Sequence, residues 1–149
     1  MFKISKKIIY SIEAVVDIAF YSGTKPVQNV EIANRQGIPK RYLEQTLQSL
    51  VRNKILVGSR GPKGGYRLAR ERRKIKISDI IDSVESQSED INKKLMVSDI
   101  SKTIINPLII KITNSSFSAF KNVTVEDICQ KARDKGIKMN TSGKIDFTI

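Results

Sequence analysis

The chain has 149 residues, 40% of them hydrophobic, enough for one domain or one domain with an appendage. Its 27 Lys and Arg against 15 Asp and Glu give a formal charge of +12, which favours a polyanionic partner, nucleic acid or an anionic membrane. One Cys and no His exclude an intrachain disulfide, a His-based catalytic dyad and a His/Cys zinc site.

Lys3, Lys6 and Lys7 precede an apolar segment, as the basic start of a signal peptide would. Glu13 and Asp17 interrupt that segment early, and no uncharged run approaches the roughly 20 residues of a membrane span. The expectation is a cytoplasmic protein without membrane attachment. From Ile8 to Phe20 the period is helical, with Ile8, Ile12, Val15, Val16 and Ala19 as the inward stripe and Ser5 as N-cap. Gly23 to Pro26 ends this helix. Val30 to Gln36 is a short second helix with Ile32 and Ala33 inward, and Gly37 is the turn.

Pro39 opens a third helix, to about Asn53, at a first-turn position where the missing N–H costs nothing. Leu43, Leu47, Leu50 and Val51 point inward. Arg41, Gln45, Gln48 and Arg52 recur on the outer side, with Glu44 at its edge. Helix, short helix, glycine turn and helix is the pattern of a helix-turn-helix. Arg pairs with guanine, Gln with adenine, and Glu accepts from cytosine, although any solvated helix face carries such residues. Ile55-Leu56-Val57 and Tyr66-Arg67-Leu68 then flank Gly58-Ser59-Arg60-Gly61-Pro62-Lys63-Gly64-Gly65, a hairpin with Arg60 and Lys63 at its tip. Between Lys40 and Lys76 lie 12 basic residues against Glu44 and Glu71, so this window holds +10 of the +12. Helix-turn-helix plus basic hairpin is a winged helix: a mainly α fold with a small β-hairpin wing.

The runs Ile38-Pro39-Lys40-Arg41-Tyr42-Leu43-Glu44-Gln45 and Arg60-Gly61-Pro62-Lys63-Gly64-Gly65-Tyr66-Arg67-Leu68 resemble the iron–sulphur-cluster regulator (IscR-like) family of bacterial winged-helix transcription factors. Ile4-Ser5-Lys6-Lys7 with Tyr10, and Glu31-Ile32-Ala33 with Arg35-Gln36-Gly37-Ile38, are similar too. The likeness covers about residues 2 to 85. Ile8 and Ile9 stand where the family usually has Gly and a basic residue, and Pro39 where it usually has a Ser cap. The resemblance implies a homodimer on a palindromic or pseudo-palindromic DNA operator, usually as a repressor. By position, Arg41, Glu44 and Gln45 would read bases, Arg60 would enter the minor groove with Lys63 nearby, and Lys7 would touch phosphate. Lys40 and Gln48 complete the candidate DNA-binding set.

Arg70 to Lys76 is a basic connector that contacts phosphate or is simply solvated. Ser78 is expected to cap a helix through about Ser86, with Ile80, Ile81 and Val84 inward, and Ser86 to Asn92 to be a polar loop. The family often holds an iron–sulphur cluster on three cysteines in the next segment, but Gln87 to Asn106 contains none. Counted back from Val123-Thr124, the last Cys and the His ligand fall on Thr103 and Asn106, neither of which is a cluster ligand. No cofactor is therefore expected, and sensing through a partner protein, through a small molecule, or not at all stays open.

Ile104, Ile105, Leu108, Ile109, Ile110 and Ile112 crowd the segment from Ile100 to Phe120. In the family this is the dimerisation helix; the alternative is intrachain core. Pro107 either starts it, capped by Asn106, or kinks a longer helix. Thr124 to Lys135 is a helix with a capping box at Thr124 and Asp127, a stop at Gly136, and Val125, Ile128, Cys129 and Ala132 inward. Cys129 thus packs rather than reacts.

The resulting organisation is a winged helix-turn-helix at 1–85, a loop at 86–99, a dimerisation helix and C-terminal helix at 100–136, and a tail at 137–149. The function read from it is a sequence-specific dimeric transcriptional regulator; the alternative is a non-specific architectural nucleic-acid binder. Catalysis is not expected. The glycine-rich loop lacks a Gly-Lys-Ser/Thr ending and leads into a strand, unlike a nucleotide-binding loop.

Overall fold

Ser5 starts the first helix as expected: its Oγ accepts the Ile8 N–H at 3.3 Å, and α1 runs Lys6–Tyr21. In the computed structural model, which describes residues 4–85 and 97–138, this helix is the centre of the molecule. Helices α2 (Asn29–Gln36), α3 (Lys40–Arg52) and α4 (Ile77–Glu85) and the hairpin pack around it. Burial on several sides explains a departure from the expected stripe. Ile18 and Phe20 are buried with Ile8, Val15 and Ala19, whereas Ile12 and Val16 are only half-buried. A single-face pattern underestimates a helix that neighbours enclose.

Strands β1 (Leu56–Ser59) and β2 (Gly65–Leu68) form one antiparallel pair, with Leu56 opposite Leu68 and Ser59 opposite Gly65. Helix α4 begins at Ile77, one residue before the expected Ser78 cap. The Asp79 carboxylate takes the capping role, accepting the Lys76 N–H at 2.9 Å, so Ser78 lies within the first turn. The expected loop at 86–92 lies outside the described residues. Ser49 Oγ and Asn53 Nδ2 both donate to the Ser83 carbonyl, at 3.0 and 3.2 Å, tying α3 to α4.

Beyond residue 97 a helix is capped by Ser98, whose Oγ accepts the Ser101 N–H at 3.1 Å. It continues through a π-helical turn, Ser101–Ile105, into α5 (Asn106–Phe117). Of the two readings of Pro107, the longer helix is the one observed. Asn106 is helical (φ −61°, ψ −48°) and is not a cap. Pro107 has no N–H and its ring crowds the carbonyl four residues back, and the wider turn just before it accommodates both defects. Helix α6 (Val125–Asp134) carries the expected capping box: Thr124 Oγ1 accepts from the Asp127 N–H at 3.1 Å and Asp127 Oδ2 from the Thr124 N–H at 2.9 Å. Gly136 follows with φ +75°. Helix α6 folds back on α1, placing Val125 and Cys129 in the same core as Val15, Ile18 and Leu47. Backbone bonds from Ile77 to Val123 and from Val125 to Ile75, both 2.9 Å, pin that return.

Candidate nucleic-acid interface

The helix-turn-helix is locked by one buried charge. Asp17, with a side chain 0% exposed, accepts from Arg35 Nε at 2.9 Å, from a terminal Arg35 nitrogen at 2.7 Å and from Gln36 Nε2 at 2.8 Å. The Asp17 hydrogen bond is the first cause holding the Arg35 guanidinium above its ordinary pKa. Arg35 also lies 4.1 Å from the centre of the Tyr21 ring. A buried carboxylate this fully bonded fixes α1 against α2. Gly37 then turns the chain at φ +66°, a conformation that glycine adopts without penalty.

On α3, Leu43, Thr46, Leu47 and Leu50 are buried, and Lys40, Arg41, Glu44, Gln45 and Gln48 are all exposed. Positions 40, 44 and 48 are separated by one turn each and 41 and 45 by another, so the five share one surface. Tyr42, not singled out from the sequence, is 59% exposed beside them, its ring 6.3 Å from that of Tyr10. Lys7 is exposed on the first turn of α1.

The hairpin places Arg60 and Lys63 in the loop between β1 and β2, both exposed. Its two glycines are steric requirements. A Cβ on Gly64 would lie 2.3 Å from the Ser59 carbonyl oxygen, and one on Gly65 2.6 Å from that of Val27. Among the described residues, no ion pair engages Lys7, Lys40, Arg41, Arg60 or Lys63. The connector differs. Arg72 pairs with Glu126 at 2.9 Å, Arg73 with Glu71 at 2.6 Å, and Arg70 approaches Asp79 at 4.0 Å. Of the two readings of this basic run, neither describes Arg72, whose guanidinium joins the connector to α6. Arg67 is also engaged internally, with the carbonyls of Gly23 and Thr24.

A three-helix body with a two-stranded basic hairpin after its last helix-turn-helix member defines a winged-helix protein. A family model described as Rrf2, an iron-dependent transcriptional regulator, matches residues 4–131. The chain belongs to this family, and its likeness runs to the IscR-like members. A structure of IscR from T. potens is 32% identical, with a TM-score of 0.70 and 88% of each chain covered. The structure of CymR, the global cysteine regulator of B. subtilis, is 27% identical, with a TM-score of 0.68, over 88% of this chain and 98% of that one. The HTH-type transcriptional regulator IscR of Sodalis glossinidius is 37% identical over 83 residues, 56% of this chain and 50% of that protein. The same-named regulator of Vibrio campbellii is 37% identical over 91 residues, 61% of this chain and 54% of that protein. The aligned part thus spans about half the length of these curated relatives.

The donor set does not fit an iron–sulphur cluster. The chain has one Cys and no His, and Cys129 is wholly buried. Burial raises its thiol pKa, against the opposing influence of Arg72. Cluster iron needs several thiolate or imidazole ligands. Among the described residues, no three His, Cys, Asp or Glu side chains group to hold a metal ion.

Proposed function

We propose that the protein is a homodimeric, sequence-specific binder of double-stranded DNA that represses transcription without a cluster. The observation that carries this reading is the exposed row Lys40, Arg41, Glu44, Gln45 and Gln48 on the helix that leads into the Arg60–Lys63 wing. Helix α3 enters the major groove, where Arg41, Glu44 and Gln45 meet base edges. Arg60 reaches the minor groove, and Lys7, Lys40 and Lys63 neutralise phosphates. The apolar residues of α5 and the turn before it form the seam between two copies.

Selection of bound duplexes from a random pool tests this. A defined, two-fold-related sequence is expected. Arg60→Ala and Gln45→Ala should each weaken binding to it by about 1–3 kcal/mol. Affinity should fall steeply with salt as counterions are released. The same salt slope with no enriched sequence is the signature of an architectural binder and would sink the specific reading.

A further inference from the structure

Arg67 sits on the return strand of a basic wing, where a cation is ordinarily assigned to the phosphate backbone. Its hydrogen bonds point elsewhere. One terminal nitrogen donates to the Thr24 carbonyl at 2.7 Å and the other to the Gly23 carbonyl at 3.4 Å. Both carbonyls belong to the turn between α1 and α2, immediately before the helix-turn-helix. Two further ties run from the end of this turn to the hairpin. Val27 and Tyr66 exchange both backbone hydrogen bonds, at 3.0 and 2.8 Å. Gln28 Nε2 donates to the Pro62 carbonyl, within the wing tip itself, at 3.2 Å. Gly65 permits the approach, since any side chain there would strike Val27.

We infer that the turn at 23–28 is the anchor that sets the angle of the wing, and that Arg67 and Gln28 are positioning residues for DNA readout rather than DNA contacts. The inference rests on the DNA-binding reading above. A hairpin of two four-residue strands is too small to hold its own orientation. The side-chain ties grip it at two places, Arg67 on the return strand and Gln28 at the tip. Arg60 lies two residues from the Pro62 carbonyl that Gln28 holds, so its reach toward the minor groove is fixed before DNA arrives. Preorganisation of this kind raises affinity by removing an ordering cost, without adding a contact. It also explains why a side chain carrying a full charge is spent on two backbone carbonyls in an exposed turn. A guanidinium spans two acceptors at once, which an ammonium does less well.

The test uses the full chain and the duplex selected above. Arg67→Met keeps the stem and removes the donors; Gln28→Ala cuts the tie at the tip. If each untied wing holds its binding pose for about a tenth to a third of the time, apparent affinity falls about three- to tenfold per wing, and about ten- to a hundredfold on a two-fold duplex that needs both. The slope of log affinity against log salt should stay that of the wild type in both variants, because no phosphate contact is lost. A slope smaller by about one per copy in Arg67→Met, about two for the dimer, marks a phosphate contact and overturns the assignment. Unchanged affinity in both variants overturns it too. Hydrogen exchange without DNA gives an independent readout: the Tyr66 amide should exchange faster in each variant while amides of α1 and α3 keep their protection. Equal Tyr66 protection in wild type and variants refutes the anchor. A wild-type protein that shows no sequence preference fails the underlying reading instead, and the exchange experiment still decides whether the anchor exists.

Discussion

Lys54 is the one non-glycine residue with positive φ among those described, at +60°. It ends α3 in a Schellman motif: its N–H donates to the Val51 carbonyl at 3.1 Å, and the Ile55 N–H to that of Leu50 at 3.0 Å. Leu50 and Ile55, the residues joined by the bond that spans more of the chain, are both buried. The motif ordinarily uses glycine, because a Cβ in the left-handed region costs roughly 1–2 kcal/mol. Lys54→Gly should therefore raise stability by about 0.5–1 kcal/mol, after the greater freedom of glycine in the unfolded chain is subtracted. The check is the urea midpoint of wild type and variant at equal protomer concentration. A lower midpoint in the variant would show that the Lys54 side chain contributes more than its backbone strain removes. Asp17 is another residue whose role only the fold reveals. In the sequence it interrupts an apolar helix, and from the sequence alone it argued only against a signal peptide. In the structure the same interruption is the buried acceptor for Arg35 and Gln36.

Elements whose signal is local were legible from the chain. Ser5 capping α1, the glycine turn before α3, the hairpin and the Thr124–Asp127 box all depend on residues within four positions of one another or on a short glycine-rich run. What was not legible depends on partners far along the chain. Arg72 meets Glu126, and Arg67 meets Gly23 and Thr24, contacts that no periodicity encodes. The π-helical turn before Pro107 was missed for a related reason: proline announces a defect but not how the helix absorbs it. The base-reading assignments on α3 rest on side-chain type and exposure, which the sequence pattern already conveyed. The capping box offers a quantitative check. The Thr124 backbone N–H, which Asp127 accepts, is the main cause holding the Asp127 carboxyl below its ordinary pKa. A carboxyl depressed on folding adds stability that is complete above its unfolded value of about 4 and lost as pH falls through the folded value. Asp127→Ala should thus melt below wild type at neutral pH, and the gap should close only under acid conditions, beneath about pH 4. A gap that persists unchanged to full protonation would mean the acceptor works equally well uncharged.

At the scale of the molecule, two surfaces contrast. Around α1 the core is closed, with α3, α4 and α6 sealing its sides. The long helix before Phe117 leaves its apolar residues outside: Ile100 is 63% exposed, Ile104 61% and Leu108 54%, with Ile105, Ile109, Ile110 and Ile112 also open. Among the described residues, none from 97 to 116 joins the core, while Phe117, Phe120 and Val123 anchor the end of this helix to the body. An exposed row of this kind is unusual on a monomer, and the proposed two-fold pairing would cover the same residues on both copies at once. Burying each Ile or Leu side chain contributes about 1.5–3 kcal/mol, so a few per protomer offset the entropy lost on association. Ile104→Glu combined with Leu108→Glu would place two carboxylates per copy in the proposed seam. Both positions lie outside the core, so the far-ultraviolet dichroism of the winged domain should survive. Sedimentation should change from dimer to monomer. Binding to a two-fold operator should weaken far more than binding to an isolated half-site, because the second half-site then gains nothing from linkage to the first. A double variant that still sediments as a dimer would place the seam elsewhere, and equal losses on whole and half operators would mean that each copy reads DNA alone.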